Sequence, residues 1–145
     1  MAPGDAIMRL HATCIVVEGT GVLLRGPSGS GKSDLALRLI DQGATLVADD
    51  QVLLRMQDGQ VLAEPPEILA GLLEVRGLGI LPFVHRAPAP VGLVIDLVEP
   101  ADVERMPEPE TLVLLDRPIH LYRIAARESS APLKVRLAVR QAAGL

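Results

Sequence analysis

Apolar residues along this chain come in short blocks separated by glycine, proline and acidic breaks, and the spacing within each block sets the element it predicts. His11 to Glu18 is rich in β-branched residues and reads as a strand. Gly19-Thr20-Gly21 turns it into a second apolar run that ends at Arg25. Between Asp34 and Gln42 the period changes: Leu35 and Leu39, flanked by Ala36 and Ile40, recur at helical spacing, and Gly43 closes the helix. Thr45 to Ala48 reads as a short buried strand ending on the tandem acids Asp49 and Asp50. Val52 to Met56 and Val61 to Ala63 flank an Asp-Gly pair and predict a hairpin, which Pro65-Pro66 ends. Glu67 to Leu73 has a short helical look, and Glu74 to Ile80, with Gly77 and Gly79, reads as a functional loop. Strands are predicted at Val91–Leu97, Thr111–Leu115 and His120–Ile124, with an acidic, proline-punctuated loop over 99–110. Ala131 to Ala143 predicts a closing helix, with Ser129 or Ser130 as its cap and Pro132 in its first turn. Residues 1–8 read as a loose leader and 9–145 as one domain, of α/β class with a mixed sheet and more strands than helices.

Between the second apolar run and the first helix lies Gly26-Pro27-Ser28-Gly29-Ser30-Gly31-Lys32-Ser33, which fits the Walker A pattern. A strand before and a helix after are what the chemistry requires. Gly29 and Gly31 let successive backbone N–H groups turn inward toward phosphate oxygens, and the helix adds its positive end to the same anion. In that frame Lys32 reaches the β/γ-phosphates of a nucleotide such as ATP, and the Ser33 hydroxyl ligates Mg²⁺.

Composition narrows the class. The chain has 145 residues, 49% of them hydrophobic, yet no Trp, one Phe and one Tyr, so its core is aliphatic. A formal charge of −4 argues against a nucleic-acid partner held by a broad basic surface. Cys14 stands alone, so no disulfide framework is expected, and a reducing cytoplasm suits the chain. No apolar run approaches the roughly 20 residues that span a bilayer, and the start lacks the pattern of a signal peptide.

Several phosphate-binding chemistries are then excluded. The Asn-Lys-x-Asp and Asp-x-x-Gly motifs of GTPases do not occur, nor does the Leu-Ser-Gly-Gly-Gln signature of transporter ATPases, nor an arginine-rich lid. Three apolar runs end in Asp and qualify as a Walker B strand: those reaching Asp49-Asp50, Asp96 and Asp116. Only the first is near enough to be the strand following the Walker helix. Because neighbours on a strand face opposite ways, one acid of the tandem pair is expected to face the phosphates.

His11, the Gly26–Ser33 loop, Leu46-Val47-Ala48-Asp49-Asp50 and Leu73-Glu74-Val75-Arg76-Gly77-Leu78-Gly79-Ile80 occur in this order. Together they resemble the catalytic domain of bacterial HPr kinase/phosphorylase, over about residues 9 to 97. The Glu-x-Arg-Gly-Leu-Gly segment is nearly private to that family. The resemblance implies a P-loop kinase core like that of phosphoenolpyruvate carboxykinase. It also implies ATP- and Mg²⁺-dependent phosphorylation of a serine on the HPr phosphocarrier protein of a phosphotransferase system.

Residue roles follow from the same resemblance. Asp50 is the proton acceptor, and would return the proton in the reverse phosphorolysis of phosphoserine. His11 orients that carboxylate, and Glu74 joins Ser33 in holding Mg²⁺. Arg105, in Glu104-Arg105-Met106, is the best match to a further catalytic arginine. A hexamer is the familial assembly. Two departures stand out: the usual N-terminal domain has no counterpart, so the match is to short single-domain forms, and Pro118 to Arg123 holds little of the Pro-Val-Arg-Pro-Gly-Arg-Asn segment tied to dephosphorylation. Two rival expectations stay open: a module that senses ATP or phosphate without catalysis, and a kinase for a small hydroxylated metabolite.

Overall fold

The structure, a computed structural model, describes residues 6–144. Its strands are β1 Ile7–His11, β2 Thr13–Val17, β3 Thr20–Arg25, β4 Thr45–Ala48, β5 Gln51–Gln57, β6 Gln60–Glu64, β7 Leu72–Val75, β8 Gly79–Pro82, β9 Ala89–Leu97, β10 Glu110–Leu114 and β11 Arg117–Ile124. Helix α1 runs Lys32–Asp41 and helix α2 Ala131–Ala142.

The central sheet has the order β4-β2-β3-β9-β11-β10, with β3, β9 and β11 parallel and the outer pairs antiparallel. The start of β9 also pairs with β6, which carries β5 and β1, so the sheet curls back on itself. Period-two alternation in the central strands then fills two cores. Ile15, Val17, Val22, Leu24, Leu93 and Ile95 meet Leu35, Ala36 and Leu39 of α1 and Val135, Ala138 and Val139 of α2. Cys14, Val16, Leu23 and Val94 point the other way, onto Val52, Leu54, Val61 and Ala63 of the curled strands. Burial on both faces explains why β2 and β3 read as unbroken apolar runs rather than alternating ones. It also pushes the Cys14 thiol up to about 12, which leaves it chemically inert. No helix among the described residues is long and apolar enough to cross a membrane.

Five expectations need correction. Ile7 and Met8, expected in a loose leader, belong to β1, while residues 1–5 of that leader lie outside the described residues. The run from His11 to Glu18 is two strands, not one. The chain changes sheet at Ala12, whose N–H donates to the Asp50 carbonyl (3.2 Å), so β1 pairs with β5 and β2 with β3 and β4. The helical look of 67–73 yields only a 3-10 turn at Glu67–Leu69. The segment read as a functional loop is the antiparallel hairpin β7–β8, turned at Gly77 (φ 94°). Apolar Leu73 and Val75 pack β7 beneath Leu37 and Ile40 of α1, and that packing overrides local propensity. Ser130 precedes α2 but makes no side-chain capping bond.

Candidate active site

Strand β3 delivers the chain to Gly26 at the edge of the helix-bearing core, and α1 departs from Gly31. Two glycines are required by contact as well as by turn. A Cβ on Gly26 would lie 2.5 Å from Ser30 Oγ, and one on Gly31, already at φ 99°, would lie 3.1 Å from Ala126 Cβ. The loop is thus closed on itself and against the turn that follows β11. Lys32 is buried and donates from Nζ to the carbonyls of Gly26 (2.6 Å) and Pro27 (3.2 Å). An ammonium has three donors, so one remains for an anion in the loop. The first N–H groups of α1 have no intrahelical acceptor and open to the same place.

The tandem acids are separated by geometry that strand alternation does not foresee. Asp50 sits at φ 69°, inside a tight turn closed by Gln51 N–H to the Asp49 carbonyl (2.8 Å). This turn breaks the alternation and brings both carboxylates to one side. Asp49 is buried. Its Oδ1 accepts from Ser33 Oγ (2.7 Å) and Thr13 Oγ1 (2.8 Å), and its Oδ2 from the Glu74 backbone N–H (3.1 Å). Asp50 is exposed, and its Oδ1 lies 2.6 Å from His11 Nε2. One acid anchors the loop serine; its neighbour faces outward beside a histidine.

The other two Walker B candidates fall away. Asp96 is held in a bidentate pair by Arg25 (2.7 and 2.9 Å) across the parallel register of β3 and β9, and Asp116 is an exposed turn residue at φ 66°.

Ser28, Gly29, Gly31, Lys32, Ser33, Asp50, Glu74, Arg76 and Arg127 converge on one cavity of about 530 Å³. The sequence-derived residues are therefore brought together with one exception. Arg105 lies on an exposed bend after Val103 and does not reach this cavity. No strand or helix carries the Glu104-Arg105-Met106 stretch. The arginines in the wall are Arg76, on the β7–β8 turn, and Arg127, whose guanidinium donates to the Gly29 carbonyl. Sequence reasoning missed Thr13, the anchoring of Asp49 to Ser33, and Arg127. Thr13 carried a signal: it is a lone hydroxyl in an apolar strand, and buried polar groups need partners.

The HPr serine kinase C-terminal domain family model matches residues 6–114, three quarters of the chain and every site residue named so far except Arg127. This chain belongs to that family. Among its relatives, the HPr kinase/phosphorylase of Clostridium beijerinckii is 51% identical over 73 residues, which is 50% of this chain and 24% of that protein. That of a Geobacillus species is 42% identical over 105 residues, 67% of this chain and 33% of the relative. The chain thus spans about a quarter to a third of the length of these relatives. The solved structure of the Hpr(Ser) kinase/phosphatase from Coxiella burnetii superposes with a TM-score of 0.80 at 28% identity, covering 92% of this chain and 89% of the other. The fold is therefore the P-loop-type kinase fold of this family, with its mixed, curled sheet.

Proposed function

We propose that this chain is an ATP- and Mg²⁺-dependent kinase that phosphorylates a serine on an HPr-like phosphocarrier protein. The family and the named relatives support the reaction class, and one observation in this chain supports the chemistry. That observation is the division of labour between Asp49, bonded to the Walker serine, and Asp50, paired with His11 and facing the cavity.

In this reading the serine hydroxyl of the acceptor approaches Asp50. Its oxygen bonds to the γ-phosphorus of ATP, the bond from that phosphorus to the β,γ-bridging oxygen breaks, and ADP departs. The hydroxyl proton passes to Asp50, whose remaining oxygen is open while Oδ1 is held by His11. His11 fixes the direction of the carboxylate. Reverse phosphorolysis would return the proton from the same group.

The donor set suits Mg²⁺. The Ser33 hydroxyl donates its hydrogen bond to Asp49 and so keeps a lone pair free to meet the ion, and Glu74 lines the same cavity. The ion would neutralise charge on the transferring phosphate. Lys32 and the first turn of α1 hold the phosphates in line.

The test is intact-mass spectrometry of a phosphocarrier protein incubated with this chain and Mg·ATP, with Lys32→Ala as control. One acid-stable phosphoryl group mapped to serine is expected, absent in the control. ATP binding without transfer would reject the carrier as acceptor and favour a sensor or a small hydroxylated metabolite.

A further inference from the structure

Where the chain changes sheet, three consecutive residues, His11, Ala12 and Thr13, hold Asp50 at three different places. His11 Nε2 lies 2.6 Å from the carboxylate, the Ala12 N–H donates to the carbonyl (3.2 Å), and the Asp50 N–H donates to Thr13 Oγ1 (3.4 Å). Side chain, carbonyl and amide of one acid are thus fixed from a single tripeptide. A left-handed backbone at φ 69° is unfavourable for an L-residue and persists where the surroundings hold it from several sides.

Thr13 makes a second bond. Its hydroxyl carries one proton, which goes to Asp49 Oδ1 (2.8 Å), and its lone pairs are left to meet the Asp50 amide. Asp49 Oδ1 also accepts from the Ser33 hydroxyl (2.7 Å). A continuous run of hydrogen bonds therefore leads from the Walker serine through Asp49 and Thr13 to Asp50. Thr13 is fully buried at this join, between the equally buried Ala12 and Cys14. A valine would fill the same space, so packing does not ask for a hydroxyl here. The two acids do, because without it a buried carboxylate and a backbone amide each lose a partner.

We propose that Thr13 is the positioning residue of the acid pair, its one hydroxyl locking the outward Asp50 to the inward Asp49. The proposal rests on the kinase reading given above, in which Asp50 takes the proton and Ser33 meets the ion. It deepens that reading: the place of the proton acceptor relative to the phosphates is set from β2 as well as from the loop. Thr13 touches no substrate and acts through Asp50.

The test uses the full chain with Thr13→Val, which keeps the branched shape and removes both hydrogen bonds, and Thr13→Ser, which keeps them. Thr13→Ala repeats each measurement if the valine variant does not fold. The first readout needs no substrate. Nitrogen–proton NMR spectra of the imidazole rings report the three histidines, and His11→Gln assigns the signals of His11. In Thr13→Val the His11 signals should move or broaden, because the carboxylate they face has lost a backbone anchor, while those of His85 and His120 stay in place. Thr13→Ser should return the wild-type spectrum. Unchanged His11 signals in Thr13→Val, or a serine variant that behaves as valine does, overturn the proposal.

The second readout is phosphoryl transfer to the carrier at saturating Mg·ATP, well below the melting temperature. Thr13→Val should lower kcat about tenfold, a loss that more nucleotide does not repair, and Thr13→Ser should stay within about threefold of wild type. A valine variant that melts earlier with kcat unchanged has lost stability alone and overturns the positioning role. Added to Asp50→Asn, Thr13→Val should lower kcat by less than about twofold more; losses that multiply would show that Thr13 acts only through Asp49, and overturn it too. If the wild-type chain binds Mg·ATP but modifies no carrier, the kinase reading fails alone, and the histidine spectra still decide whether Thr13 holds Asp50.

Discussion

Two hollows of this molecule differ in how their charges are anchored. One is the phosphate cavity at the start of α1. The other, of about 240 Å³, lies between the 104–110 segment, β11 and the end of α2, and is lined by Glu104, Glu108, Glu110, Tyr122 and Arg123 among others. In the second, the basic group is already matched: Arg123 pairs with Glu110, a neighbour across the β10–β11 ladder, and the remaining acids stand on an exposed, proline-broken segment. In the first, hydroxyls, carboxylates and cations arrive from β1, β2, α1, β7 and the β11–α2 turn, and hydrogen bonds between distant elements fix them. Chemistry of phosphoryl transfer is mostly positioning and charge neutralisation, so the anchored hollow is where a reaction belongs. Surface charges on a loose segment contribute little.

The largest expected effect breaks the equivalence of the tandem acids. Asp50→Asn should lower phosphoryl transfer by about 10²–10⁴-fold while leaving Mg·ATP binding near wild type, since only the proton acceptor is lost. Single-turnover kinetics and calorimetry on the same preparation check both halves. If Asp49→Asn shows that pattern instead, the roles within the pair are reversed.

Next in size is Thr13→Val, a near-isosteric change at a fully buried position. It removes a hydroxyl donor to the Asp49 carboxylate and leaves that acid short of a partner, at a cost of about 1–3 kcal/mol. Mg·ATP affinity and thermal stability should both fall. The neighbouring change Cys14→Ala, which touches no polar group of the site, should lower stability alone. Equal ATP affinity in Thr13→Val and wild type would show that Asp49 needs no anchoring from β2.

These expectations also mark where the sequence was readable. The strand, loop and first helix are local: glycines at fixed offsets and apolar residues at helical spacing carry them without help from the rest of the chain. Strand alternation alone does not tell the two carboxylates apart, and only the family resemblance pointed to Asp50, because their separation depends on a left-handed turn at Asp50 and on Thr13 arriving from another strand. The β7–β8 hairpin was hidden because two glycines imply a loop until Leu73 and Val75 are seen packing under α1. Arg127 lacked any local signal, since its place at Gly29 is made by the sheet order. Arg105 is the opposite case: a short motif stands out on a stretch that no strand or helix carries. Sequence patterns locate what is close in the chain, and tertiary anchoring assigns the rest.

The comparison of the two hollows is sharpened by changes expected to do almost nothing. Arg105→Ala and Glu108→Gln should each leave the transfer rate within about twofold of wild type and the melting temperature almost unmoved, as exposed charges on an irregular segment do. A loss of more than tenfold in Arg105→Ala would return that residue to the reaction and require the 99–110 segment to close over the phosphate cavity.

The smallest effect lies far from both hollows. Arg140, in the last turn of α2, donates to both carboxylate oxygens of Glu18 at the β2–β3 turn (2.7 and 3.1 Å), and these hydrogen bonds hold the Glu18 carboxyl below its ordinary value of 4.5. A depressed carboxylate favours the folded state at pH values above its unfolded pKa, and the benefit disappears as pH falls through the folded one. Wild type should therefore melt slightly above Arg140→Gln at pH 7, by about a degree or two for so exposed a pair, and the two melting curves should merge toward pH 3. Salt at high concentration should erase the same difference at pH 7, because screening acts on solvent-exposed partners first. A gap that persists at pH 3 would mean that Arg140 contributes through the packing of its stem on the hairpin and not through its charge.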